Sequence, residues 1–263
     1  MALVRVPNFG TLAVTSGTTV TTSGWNGLVG GVLALHAATL NLDGALSTAG
    51  LGYRGGKWSE DAQCTESVTT EPGESIAGPP TAGSTANNAG APGGIGAASG
   101  IVFTNTPLNS GASHATAGGM GGNGNGRTIG GPGAVYGVAD ASQLTMGSGP
   151  SGNLSCAVGF PGPALVSVGA PLAGGIVLLI ANQLNVGSAG AITASANTSS
   201  RDISASGGYV FLRGSSLSLG IARVTAAGGV ATGVGGTLTA GDGYIVVSGT
   251  TVTGTTKPAA HQL

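Results

Sequence analysis

Charge is what this chain has least of: 6% of its 263 residues are Asp, Glu, Lys or Arg, and the formal net charge is −1. Soluble domains carry roughly 25% charged residues. The shortage excludes nucleic-acid binding through a basic stripe, because eight scattered Lys and Arg cannot form one. Disorder driven by charge repulsion is excluded as well, since 41% of the residues are hydrophobic and can be buried. A surface this poor in charge has little to hold copies apart, so much of it is expected to face other subunits or a solid ligand. Long apolar runs are also missing. The longest, "GGIVLLIA" at 174–181, falls far short of the about 20 residues that span a bilayer, and no membrane span is expected. "MALVRVPNFG" lacks the continuous apolar core of a secretory signal, which leaves a processed form of an exported protein or a virion component. The only cysteines, Cys64 and Cys156, are read either as one bridge or as two buried thiols.

Glycine fills the space the other types leave, with 53 residues. No Gly-X-Y register persists, so collagen is excluded. An internal repeat is visible instead. Residues 30–50 ("GGVLALHAATLNLDGALSTAG"), 174–194 ("GGIVLLIANQLNVGSAGAITA") and 207–228 ("GGYVFLRGSSLSLGIARVTAAG") share one plan. A glycine pair leads into four or five apolar residues, a break, an alternating segment, a turn, and a short strand ending in Thr or Ser. A weaker copy occupies 241–256, and 9–24 reads as a shorter first turn. Segments rich in Val, Ile, Leu and Thr between Gly, Asn, Asp and Ser predict short strands and turns and almost no helix. Strands too short to bury a face alone, yet recurring with similar turns, predict stacking of one coil on the next. The expected fold is all-β, a parallel β-solenoid-like stack of short strands. A β-sandwich or jelly roll built from the same strands is the alternative. Alternation allows one parity of Ile176, Leu178 and Ile180, or of Val177 and Leu179, to face a shared core with Val210, Leu212, Ile245 and Val247.

The organisation is expected to run as N-terminal β coils over 1–50, an acidic loop and glycine-rich insertion over 51–173, and C-terminal β coils over 174–263, as one continuous unit. The acidic part carries Glu60, Asp61, Glu66, Glu71 and Glu74. It reads as a solvated loop; oxygen ligands for calcium and paired carboxylates for glycoside cleavage are the alternatives, and neither has a specific spacing. Residues 81–152 are dominated by Gly, Ala, Ser, Asn and Pro. Only a residue without Cβ lets backbones approach closely enough to pack as polyglycine-II-like strands, and buried backbone groups must then bond between strands. Ordered packing of that kind is expected here; a mobile linker is the other reading.

Catalytic chemistry is sparsely represented. "GNGNGRTIGG" has G-x-G-x-x-G spacing without a strand–loop–helix context or the Lys-Ser/Thr of a phosphate loop. His36, His114 and His261 lie in separate segments without metal spacing. No cofactor is expected. Tyr53, Arg54, Lys57 and Trp58 cluster in an aromatic-poor chain. They are read either as a sugar-stacking platform of aromatics beside cations or as packing at the end of the stack. "TTVTT" at 18–22 and "TTVTGTT" at 250–256 could align as a threonine ladder of the ice-binding kind, or simply cap outward positions. Neither "MALVRVPNFG" nor "KPAAHQL" reads as a cap, so open strand edges without charged guards are expected to associate.

The stretches "RVPNFGTLAV", "WNGLVGGVLALHA", "LGYRGG", "GESIAGPP" and "YGVADASQLTMGSG…GGIVLLIANQLNVGSAGAITA" resemble glycine-rich repeat modules of large exported bacterial proteins of myxobacterial type, and of some phage fibre proteins. In composition the glycine-rich middle is similar to the polyglycine-II layers of phage tail-tip adhesins. The resemblance implies no enzymatic activity. With the composition, it leads to the expectation of a non-enzymatic structural subunit of an extracellular filament or virion appendage, adhesive in purpose. Its partners would be further copies of itself and a cell-surface glycan or receptor. The alternative is a receptor-, glycan- or ice-binding fibre tip.

Overall fold

A computed structural model describes residues 6–56, 73–76, 111–119, 121–122, 128–129, 132–150, 173–197, 204–233 and 236–263. Every regular element among them is a strand. In chain order these are β1 (Asn8–Val14), β2 (Thr19–Val20), β3 (Val32–Leu42), β4 (Ala45–Ser47), β5 (Gly121–Gly122), β6 (Thr128–Ile129), β7 (Ile176–Val186), β8 (Ala191–Thr193), β9 (Tyr209–Thr225), β10 (Val230–Gly233), β11 (Gly236–Thr239), β12 (Tyr244–Lys257) and β13 (His261–Gln262). No helix in the described residues is long and apolar enough to cross a membrane.

Nine of the described strands form one sheet in which every pairing is parallel. Each repeat supplies one pass of the chain: a long strand followed by a short one in the first three, and a single strand spanning both walls, β9 or β12, in the last two. The long strands stack as β1, β3, β7, β9 and β12, and the short ones as β2, β4 and β8 against the far end of β9. Because β9 serves both walls, the sheet bends back on itself and nearly closes. This all-β, mostly parallel arrangement is compatible with a β-solenoid-like stack and with a barrel. Among the described residues, antiparallel pairing, which a jelly roll would need throughout, is confined to β5 with β6 and β10 with β11. The passes before and after residues 51–173 are direct neighbours, since β3 pairs with β7 from Val32↔Ile176 to Leu42↔Val186.

The core lies between the two walls and is built from columns of like residues. Val177 stacks in register with Leu33, Val210 and Ile245, and Leu179 with Leu35, Leu212 and Val247. The inward parity is therefore that of Val177 and Leu179, all but sealed from solvent. Further along, Leu40, Leu184 and Leu217 form a third column, and Leu46, Ile192 and Val224 a column of the second wall. Ile176 points the other way, into a second cluster with Met146, Tyr209 and Val246. Here residues 132–150 cover the outer face of the sheet, which is why "IVLLI" is apolar at both parities.

Glycines at the head of each pass make this stacking possible. A Cβ on Gly175 would lie 2.4 Å from the carbonyl oxygen of Gly31, one on Gly208 1.9 Å from that of Gly175, and one on Gly243 1.8 Å from that of Gly208. Below 3.0 Å something must move; here the obstacle is backbone in every case. Beyond these glycines the chain leaves the sheet, and neighbouring stretches bond to one another through their main chains. Ser204–Gly208, buried throughout, is the hub. The carbonyls of Ser204, Ala205 and Ser206 accept from the N–H groups of Ala112, Gly229 and Gly174, while the N–H groups of Ser206, Gly207 and Gly208 donate to the carbonyls of Ser148, Gly241 and Ala194.

The C-terminal tail departs from the sequence-based expectation. "KPAAHQL" turns back over the end of the stack. His261 and Gln262 pair with Val246 and Val247, and Ala260 packs on the core. It is a partial cap that two paired residues are too few to announce by periodicity. The two threonine-rich stretches do not align either, because β2 pairs with β4 and β12 with β9, at opposite ends of the stack.

Candidate functional site

Tyr53 and Arg54 follow the turn after β4, and both face inward onto a corner shared with Trp25 and Glu74. The Arg54 guanidinium donates to the Glu74 carboxylate from Nε to Oε2 at 2.9 Å and from Nη2 to Oε1 at 3.2 Å. Trp25 Nε1 donates to Oε1 at 3.0 Å, and the Arg54 main-chain N–H to Oε2 at 3.1 Å. Tyr53 meets Trp25 edge-on at 5.9 Å between ring centres. Burial alone would raise the Glu74 pKa, but the hydrogen bonds from Arg54 and Trp25 outweigh it and hold the carboxyl below its ordinary value. The bond to Glu74 raises the Arg54 pKa in turn. Burial, and then the Glu74 charge, push the Tyr53 hydroxyl up. The result ties the stretch at 25–26, the bend at 53–54 and the start of the described 73–76 segment together. Lys57 and Trp58 lie outside the described residues, as do Glu60, Asp61, Glu66, Glu71, Cys64 and Cys156.

A second constellation is one that sequence reasoning missed. His114 is sealed from solvent, with Nδ1 2.6 Å from the Gly207 carbonyl and Nε2 2.8 Å from Thr145 Oγ1. A carbonyl only accepts, so Nδ1 carries the proton and the Thr145 hydroxyl donates to Nε2. Burial lowers its pKa to about 4, against the bond to Gly207. The imidazole lies 4.6 Å from the Tyr136 ring and 5.2 Å from that of Tyr244. Tyr209 Oη donates to the Val138 carbonyl at 2.9 Å, and Tyr244 Oη to that of Gly137 at 3.2 Å. Burial raises the Tyr209 pKa to about 12 and pushes that of Tyr136 up as well. These rings pin residues 136–146 onto the sheet. One signal for them was in the sequence: Tyr209 and Tyr244 each follow a column glycine, at the position Ile176 holds in its own pass.

The outward face of each long strand, in its second part, carries two columns of uncharged side chains, all polar but Ala13. One column is Thr11, Thr39, Gln183, Ser216 and Thr251; the other is Ala13, Asn41, Asn185, Ser218 and Thr253. Members of a column stand about 4.8 Å apart, the spacing of neighbouring strands. Asn185 Nδ2 donates to Asn41 Oδ1 at 3.0 Å along one of them. His36 hydrogen-bonds Asn8 in a neighbouring column, His261 lies in the tail, and His114 is buried, so the three histidines stay apart. No protein-family model matches this chain, and neither the curated proteins nor the solved structures contain a match to it.

Proposed function

We propose that the chain is a non-enzymatic structural subunit of an extracellular filament or virion appendage, adhesive in purpose, with a solenoid of parallel coils braced by a polyglycine-II-like bundle. One observation carries the reading: the buried stretch Ser204–Gly208 is bonded through its main chain to the stretches holding Ala112, Ser148, Gly174, Ala194, Gly229 and Gly241. A backbone surrounded on all sides by other backbones is how polyglycine-II packs. It spends the glycines on rigidity rather than on a cleft. The resemblance to glycine-rich fibre modules and the low charge support the same reading, and with it a location outside the cell or on a virion. It calls for no cofactor.

Sedimentation of the purified chain at micromolar concentration, in low and in high salt, tests this. The expected result is a polymer whose size does not depend on salt, because few ion pairs would hold it. A monomer in both conditions overturns it. The two uncharged polar columns favour a second reading, a fibre tip that lays this face on a glycan, a receptor or ice. In that case the monomer would bind a glycan surface or show thermal hysteresis.

A further inference from the structure

We propose that copies of this chain join head to tail, the free edge of β1 in one copy adding to the free half of β12 in the next and continuing the parallel ladder in register. The proposal rests on the filament reading and says which surfaces make the joint. Among the described residues β1 pairs only with β3, and beyond Val247 β12 pairs only with β9. An unpaired strand edge is a template for another strand. β1 holds no charged residue, and the free half of β12 holds one, Lys257.

The core columns show which strand each edge fits. Leu40, Leu184 and Leu217 are sealed at the centre of their column, whereas Leu12 and Val252 at its two ends are half-buried. Val20 ends the column of the second wall in the same condition. Continuing the register sets Leu12 of one copy on Val252 of the other, Thr11 on Thr251, Ala13 on Thr253 and Asn8 on Ser248. Apolar then meets apolar inside, and small polar side chains meet outside. The strands run the same way at the joint as everywhere else in the sheet. A head-to-tail contact of this kind does not close on itself, so it propagates into a filament.

The C-terminal tail stands in the way of part of it. Positions 246 and 247 continue the columns of Ala34 and Leu35, which face residues 6 and 7 in the register of β1. Val6 and Pro7 of an incoming copy would therefore fall where His261 and Gln262 sit. The joint gains the six paired positions that β1 makes with β3 and gives up the two that the tail makes, with the Leu263 N–H bond to the Val247 carbonyl and the packing of Ala260 on the core. Exchange thus favours the joint.

A charge-swap at one rung tests it. Thr11 and Thr251 are exposed and outward, and inside one copy they are four strand spacings apart, about 19 Å. At the joint they are adjacent. T11K/T251K should raise the concentration needed for assembly about fivefold in low salt and recover in high salt, with an unchanged circular-dichroism spectrum. T11K/T251E should assemble like the wild type or better in low salt. If the wild type polymerises and T11K/T251K polymerises equally well in low salt, the joint is elsewhere and the proposal falls while the filament reading stands. If the wild type stays monomeric in low and in high salt, the filament reading falls and the joint falls with it.

Discussion

At Gly208 a methyl group would sit 1.9 Å from the carbonyl oxygen of Gly175, with no flexible side chain to give way. Gly208→Ala is expected to cost about 4 kcal/mol or to prevent folding, among the largest effects a single substitution has. Gly10 offers the contrast, with nothing within 4 Å of where its Cβ would be, and Gly10→Ala should change stability by no more than about 0.5 kcal/mol. Urea titration of the two variants checks both numbers. His114 supplies a pH dependence. Its folded pKa of about 4 lies below the unfolded value near 6.5, so above pH 6.5 both states are neutral and nothing is lost. As pH falls from about 6.5 to 4 the unfolded chain takes up a proton that the folded one refuses, and stability declines by about 3 kcal/mol. In His114→Gln that decline should be absent from urea midpoints measured across the same window; an unchanged slope would mean that His114 is not the group responsible. The sequence made neither role explicit. Gly208 was legible as one of several glycines heading the repeats, but His114 stands in a stretch without periodicity, and its partners Thr145 and Gly207 are far away in the chain.

Strands were the most legible elements, because "VLALHA", "IVLLIA" and "YVFLRG" recur with the same turns after them. Which parity of "IVLLIA" faces inward was not legible, since both faces are covered, one by the core and one by residues 132–150. The corner that holds residues 25–26, the bend at 53–54 and the described part of the acidic stretch together was hidden too: Arg54 and Glu74 were visible as charges, but nothing local pairs them. Arg54→Ala leaves the Glu74 carboxylate buried with Trp25 and one main-chain donor. The expected loss is about 2 kcal/mol at neutral pH, less than for a sealed pair because the Arg54 side chain is 31% exposed. Glu74 has a lowered folded pKa, so the bonds to it stabilise the fold above the ordinary carboxylate range and lose their effect as pH falls through that lowered value. The gap between wild type and Arg54→Ala should therefore shrink on acidification, as thermal melts at neutral and acidic pH would show. The tail is a third element beyond sequence reasoning. Removing Pro258–Leu263 uncovers Val246 and Val247, and light scattering should report faster polymerisation of the truncated chain; slower growth would mean that the tail builds the joint rather than shields it.

For the whole molecule, abundant glycine raised the expectation of closely packed backbones in residues 81–152, most of which lie outside the described residues; the main-chain contacts among the described residues centre on Ser204–Gly208, at the head of a repeat. Stacking of each coil on the next was legible from the repeat, but where the two threonine-rich stretches would fall in it was not. That "TTVTT" and "TTVTGTT" fall at opposite ends follows from the passes stacking in chain order, which no single segment encodes. The sheet's strands run across the direction in which passes accumulate, so head-to-tail filaments should repeat the strand spacing along their own axis. X-ray diffraction from aligned filaments of the purified chain measures this directly. The account predicts a reflection near 4.8 Å on the filament axis. The same reflection perpendicular to the axis, or a chain that yields no filaments to align, would contradict it.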